Sequence, residues 1–170
     1  MSNRALVLKE LHDLIERDDT NNCYSVGYWN DDENEPDPYH WAITLVAPKE
    51  GLYEGGHFKL EVKIPTNYPK HPPNIKFLTR IYHCNIGKDD GYICINTLSN
   101  WKENYSMEDL LNHLVVLLHQ QNADDPANYE MQNEYNNNKS HFEANARDWV
   151  KRYASINNYD DEKNFYSYLP

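Results

Sequence analysis

Cys94 stands between two isoleucines in the run GYICINTL, with His83, Cys84 and Asn85 upstream in HCNI. A cysteine sulfur is a good nucleophile near neutral pH, and its thioester conserves the energy of an acyl group for onward transfer. A loop cysteine beside polar groups is therefore a candidate acyl carrier. On spacing alone the Ile-Cys-Ile triplet reads as well as a packed strand, since free cysteine is among the most buried residue types. His83, Cys84 and Cys94 also offer three metal ligands, but the sequence has no second CxxC or HxxxH pair to close a tetrahedral zinc site. A cysteine hydrolase fits poorly, because no GxSxG occurs and no second histidine is tied by local spacing to Cys94.

The chain that must position these residues is 170 residues long. That is enough for one domain, which at this size removes roughly 70% of its unfolded surface from water and needs no metal or disulfide to hold a core. The formal charge of -11 argues against nucleic acid or an anionic membrane as the main partner, since either would repel the chain at long range. Three cysteines make an odd count, and no apolar stretch approaches the roughly 20 residues of a membrane span or resembles a secretory leader. The expectation is a soluble intracellular protein, cytoplasmic or nuclear, with reduced thiols.

Periodicity divides the chain into a strand-rich first half and a helical second half. From Asn3 to Arg17, Val7, Leu11, Leu14 and Ile15 recur at helical spacing between charged residues, and Asp18, Asp19, Asn21 and Asn22 end the helix. An edge strand is expected from Cys23 to Tyr28, followed by the acidic run NDDENEPDP, too poor in apolar residues to pack. Trp41, Ile43 and Leu45 alternate with smaller residues. Phe58, Leu60, Val62 and Ile64 alternate with Lys59, Glu61 and Lys63, predicting a strand with one face in the core and the other wet. Ile75 and Phe77 add a fourth strand after a proline turn. Four consecutive strands joined by turns predict an antiparallel meander, and so an α+β fold. Beyond Trp101, Ser106 and Asp109 form a capping box ahead of Leu110, Leu111, Leu114, Leu117 and Leu118. Asp124 and Asp125 before Pro126 are expected to open a third helix ending in Asn136 to Asn138, and Phe142, Ala146, Trp149, Val150 and Tyr153 line a last one. Residues 155–170 form a tail that is acidic and aromatic.

The blocks LYEGGHFKLEVKIPTNYPKHPP, HCNI, GYICINTL with Trp101, and DDPAN resemble the catalytic domain of ubiquitin-conjugating enzymes, in the same order and at nearly the same spacing, over about Asn3 to Ala154. The resemblance implies that family's fold, an amino-terminal helix, a four-stranded antiparallel meander and a helical carboxy-terminal half, with residues 1–154 as the catalytic domain. It also implies a site. Cys94 matches the cysteine that takes ubiquitin from the activating enzyme as a thioester and yields it to a lysine amine. Asn85 matches the asparagine of the family's His-Pro-Asn triplet, which either stabilises the oxyanion or holds the active-site loop. Asp125 matches an acid that orients the incoming lysine, and it is also a possible helix cap beside Pro126. His83, Tyr68 and Trp101 match residues that support the site structurally. The partners implied are ubiquitin or a ubiquitin-like modifier, the activating enzyme, a ubiquitin ligase and substrate lysines, with the chain acting as a monomer and no metal or organic cofactor. A non-catalytic binding module of the same fold is the alternative, although such members usually lack the cysteine.

Several positions depart from the family pattern. The triplet's proline is Cys84 here, which leaves the turn less constrained and brings a second thiol close in sequence to Cys94, an arrangement in which an 84 to 94 disulfide would switch activity off. Lys70 stands where the family often has an apolar residue, and Lys102, Glu103 and Asn104 follow the tryptophan in place of a Ser-Pro-Ala. Charge in place of an apolar anchor predicts weak or atypical binding to common RING-type ligases.

Overall fold

The computed structural model describes residues 2–17, 23–29, 35–93 and 98–157. Cys94, the predicted helix terminators from Asp18 to Asn22, residues 30–34 of the acidic run, and the tail from residue 158 onward lie outside the described residues. The element order is α1 (Asn3–Ile15), β1 (Tyr24–Tyr28), β2 (His40–Val46), β3 (His57–Lys63), β4 (Asn74–Phe77), α2 (Met107–His119), α3 (Tyr129–Asn137) and α4 (Lys139–Trp149), which runs into one π-helical turn at Val150–Ala154. This is the predicted α+β architecture.

The strands form one antiparallel sheet in sequence order, β1 at one edge and β4 at the other. Because side chains alternate along a strand, register decides which residues share a face. Trp41 lies opposite Val62, Ile43 opposite Leu60 and Leu45 opposite Phe58, while Val62 and Leu60 face Ile75 and Phe77 across the next ladder. All of these are buried, and they join Val7, Leu11 and Leu14 of α1 and the five leucines of α2 in one core. The capping box of α2 is present, with Ser106 accepting from the Asp109 N–H and Asp109 accepting from Ser106.

Three expectations need correction. Ile15 does not join the core face of α1 but stays 49% exposed. Leu14 completes the inward i, i+4, i+7 series from Val7 and Leu11, and the next residue is turned about 100° away from it. The outer face of β3 is not uniformly wet, because Glu61 is buried there, with His40 Nε2 at 2.7 Å and Lys63 Nζ at 3.0 Å from its carboxylate. The third helix does not open at the aspartate pair. It begins at Tyr129, capped by Asn128, whose side chain accepts from the Met131 N–H, so Asp125 is not its cap.

One carboxylate fastens α1 to the helical half. Glu10 Oε2 accepts from the Tyr68 hydroxyl at 2.7 Å and from the backbone N–H of Met107, the first residue of α2, at 3.0 Å. Burial, then the bond to Glu10, raises the Tyr68 hydroxyl far above its ordinary pKa. The Asn3 amide donates to the Tyr68 carbonyl, the Tyr68–Pro69 peptide is cis, and the Trp101 indole donates to the Pro69 carbonyl at 2.7 Å. Tyr68 and Trp101 thus hold the proline turn between α1 and the segment before α2. Losing an acceptor shared by two partly buried donors costs roughly 2–3 kcal/mol. Glu10→Ala is therefore expected to lower unfolding free energy by about that amount in urea denaturation, while Lys9→Ala, which breaks only an exposed pair with Asp13, leaves it unchanged.

Candidate active site

Residues 82–86 form a strip, buried from His83 to Ile86, on which the site is built. On one side Ile86 pairs with Ile93 in an isolated antiparallel bridge, the Gly87 N–H donates to the Tyr92 carbonyl at 2.8 Å, and the Phe77 N–H donates to the Gly91 carbonyl at 2.9 Å. These bonds fasten the hairpin that leads into Cys94. On the other side the strip is laced to the loop 121–128, between α2 and α3. The Cys84 carbonyl accepts from the Ala127 N–H at 2.7 Å and the Asn128 N–H at 3.2 Å, and the Cys84 N–H donates to Gln121 Oε1 at 2.9 Å.

Asn85 is the centre of this lacing. Its side chain is fully buried, and its amide nitrogen donates to the carbonyls of Asn122 at 2.7 Å and Asp125 at 2.9 Å, while its oxygen accepts from the Asn122 N–H at 2.9 Å. Both amide hydrogens are in use. An oxyanion role would require giving one of them up, so this geometry supports the loop-holding role of the two that the resemblance allowed. Asn85 and Asp125 are brought together through the Asp125 backbone, and the Asp125 side chain is half-buried.

His83 is fully buried, with Nε2 2.9 Å from the Leu117 carbonyl and Nδ1 accepting from the Asn85 N–H at 3.0 Å. A carbonyl can only accept, so the ring is the Nε2–H tautomer, and neither nitrogen is left for a metal or for proton transfer. Tyr53 stacks on it at 5.6 Å. Cys84 is also fully buried, packed with Met131 and Phe142. Burial, with Glu134 adding to it, pushes its thiol up to about 12, so it stays protonated and unreactive at neutral pH. Tyr82 donates to Glu134 at 2.5 Å and ties the strip to α3. Among the described residues no group of His, Cys, Asp and Glu could hold a metal ion, and no helix is long and apolar enough to cross a membrane.

Sequence reasoning found His83, Asn85 and Asp125 but missed Tyr53, Gln121, Asn122 and the Leu117 carbonyl, which complete the lacing. Gln121 and Asn122 lie just ahead of the DDPAN block, the only signal that pointed near them.

The family model for ubiquitin-conjugating enzyme matches residues 7–150. The chain belongs to the ubiquitin-conjugating enzyme family. It is 39% identical to ubiquitin-conjugating enzyme E2 13 of Schizosaccharomyces pombe over 116 residues, covering 68% of this chain and 78% of that protein. Among solved structures it is similar to a Plasmodium yoelii protein assigned as a ubiquitin conjugating enzyme, with a TM-score of 0.79 at 32% identity, covering 91% of this chain and 97% of that one. The E2 domain of a Toxoplasma gondii ubiquitin conjugating enzyme aligns with a TM-score of 0.77 at 29% identity, over 89% of this chain and 99% of that one. The fold of this family member is therefore that of its relatives, amino-terminal helix, meander and carboxy-terminal helices together.

Two measurements probe the lacing. Burial lowers the His83 pKa to about 4 against an ordinary 6.5, the bond to Leu117 only partly opposing it. The unfolded chain then binds a proton that the folded one refuses, so stability is fully present above about pH 6.5 and is lost as pH falls toward 4. Over that window the loss amounts to roughly 3 kcal/mol, and urea denaturation at pH 7.5 and pH 4.5 is expected to register most of it, with a flatter response in His83→Gln. Asn85→Ala, which strands two carbonyls and one N–H, is expected to cost about 2–4 kcal/mol in the same assay; an unchanged value would mean that Asn85 does not hold the loop.

Proposed function

We propose that residues 1–154 are a working catalytic domain that carries ubiquitin as a thioester on Cys94, with residues 155–170 as an appended acidic and aromatic tail. The Cys94 thiolate attacks the thioester joining ubiquitin to the activating enzyme and expels that enzyme's thiolate. A substrate lysine then attacks the new thioester, the amide bond forms, and the Cys94 thiolate leaves. An amine with an ordinary pKa near 10.4 must shed one proton before it attacks and a second as the amide forms. Asp125 orients that amine and favours the first loss, and Asn85 holds the loop that carries Asp125.

The observation that supports this reading is the two-sided fastening of residues 82–86. The strip holds the Asp125 carbonyl through Asn85 and pairs through Ile86 with Ile93, the residue before Cys94 in the chain. The acid and the hairpin leading to the sulfur are thereby referred to one rigid segment, which is what positioning a nucleophile against an incoming amine requires.

Incubation with activating enzyme, ATP and labelled ubiquitin is expected to give an adduct that reductant removes. Cys94→Ala should abolish it and Cys94→Ser should give a thiol-resistant oxyester. No adduct with ubiquitin or any ubiquitin-like modifier would point to a binding module, and turnover of a peptide or ester without ATP to a hydrolase. Lys70, Lys102, Glu103 and Asn104 are all exposed, in keeping with weak stimulation of discharge by common RING-type ligases.

A further inference from the structure

The N–H of Cys84 lies in a buried turn, where a donor without an acceptor is rare and costly. Its acceptor is a side chain 37 residues away, the Gln121 carboxamide, at 2.9 Å. The other end of that carboxamide donates to the Tyr53 hydroxyl at 2.8 Å, and Tyr53 in turn donates to the Tyr82 carbonyl at 2.5 Å. The result is a closed ring of hydrogen bonds through Tyr82, Tyr53, Gln121 and Cys84 that grips the backbone on both sides of His83, while the Tyr53 ring stacks on the imidazole between them.

The ring fixes the orientation of the Cys84 peptide from its N–H side, as Ala127 and Asn128 fix it from its carbonyl side. Asn85, the next residue, holds the Asp125 carbonyl. Releasing the Cys84 N–H therefore loosens the base from which the Asp125 loop is held. A proline at position 84 would bring no N–H and would need no acceptor. The cysteine does need one.

We infer that Gln121 is a positioning residue for the transfer step, its carboxamide supplying through hydrogen bonds the backbone constraint that a proline at position 84 would supply covalently. The inference rests on the reading of the chain as a thioester carrier. Loading needs only the sulfur and the activating enzyme, whereas aminolysis also needs Asp125 in place, so losing the tether falls on discharge rather than on loading.

The test is single-turnover discharge of the Cys94 ubiquitin thioester to free lysine at saturating amine, in wild type, Gln121→Leu, Gln121→Glu, Cys84→Pro and the double variant Cys84→Pro with Gln121→Leu. Gln121→Leu keeps the bulk and loses both polar ends. It is expected to load within about twofold of wild type and to discharge about tenfold more slowly. Gln121→Glu keeps an acceptor for the Cys84 N–H and should restore most of the rate. In the Cys84→Pro background the leucine substitution should cost less than about twofold, because there is no N–H to strand. Wild-type discharge by Gln121→Leu, equal damage from Gln121→Glu, or the same penalty in both backgrounds would each overturn the inference. If Cys84→Pro does not fold, the leucine and glutamate pair decides it alone. A wild-type protein that accepts no modifier would instead sink the carrier reading and this inference with it, a result distinct from a loaded protein indifferent to residue 121.

Discussion

A buried carboxamide is tolerated only when its two N–H groups and its oxygen all find partners, because each one left over costs as much as a lost hydrogen bond in a medium that offers no water. Asn85 meets that condition in a way that dictates the rest of the site. Its three partners are all backbone groups, two on Asn122 and one on Asp125, so satisfying the side chain closes the loop between α2 and α3 into one conformation. A side chain that bonds only to backbone is insensitive to what those loop residues carry as side chains. The loop is thus free to present the Asp125 side chain while its main chain stays fixed.

The clamp in turn depends on elements far from it in sequence. The strip that carries Asn85 is held by Tyr53, from the turn between β2 and β3, by the Leu117 carbonyl near the end of α2, and by Glu134 of α3 through Tyr82. Glu134 feels burial against its charged form, yet hydrogen bonds from Tyr82 and His141 outweigh that and hold it below the ordinary carboxylate range. It can therefore remain an ionised acceptor under a protein surface. Glu10 plays the corresponding part at the other end of α2, where it joins α1, the proline turn and the helix amino terminus. The helical half is pinned at both ends of α2, and the strip and loop sit at its carboxy-terminal end.

Local chemistry made most of the fold legible. Alternation gave the buried rows of β2 and β3, the Ser106 and Asp109 pair marked the start of α2, and the asparagine run marked the end of α3. Errors arose where two local signals competed and tertiary packing chose between them. Leu14 and Ile15 are equally apolar, but only one can point inward on a helix ending at residue 15. Asp125 and Asn128 are both good caps, and Asp125 is preoccupied because its carbonyl is tied to Asn85 while Asn128 is free to turn its side chain onto Met131. Glu61 reads as a surface residue until His40 and Lys63 are seen to close over it. For the site, His83, Asn85 and Asp125 were legible through the blocks that carry them. Gln121, Asn122 and Tyr53 were not, since a hydrogen bond between residues 37 or 68 positions apart leaves no periodic trace in the chain.

The same geometry narrows the acid–base chemistry available to the site. His83 is not placed to act as a general base: one nitrogen donates to Leu117, the other accepts from Asn85, and burial keeps the ring neutral well below physiological pH. Protonating it would break the Asn85 bond and leave a charge in the core, so it cannot cycle a proton at a useful rate. Cys84 and Tyr82 are both pushed up to about 12, chiefly by burial, and hold their protons at neutral pH. The other described titratable side chains on the strip and the laced loop are those of Asp124 and Asp125. Asp124 is exposed, with its N–H turned back onto the Asn122 side chain. Asp125 is half-buried, and its carbonyl is one of the two loop carbonyls that Asn85 grips. On the proposed function, a carboxylate at this position would act on an incoming ammonium less by taking its proton than by favouring an approach that leaves the proton exposed to water. Under the proposed function such a group needs a fixed base, and the Asn85 carboxamide supplies one by holding the Asp125 main chain through its carbonyl.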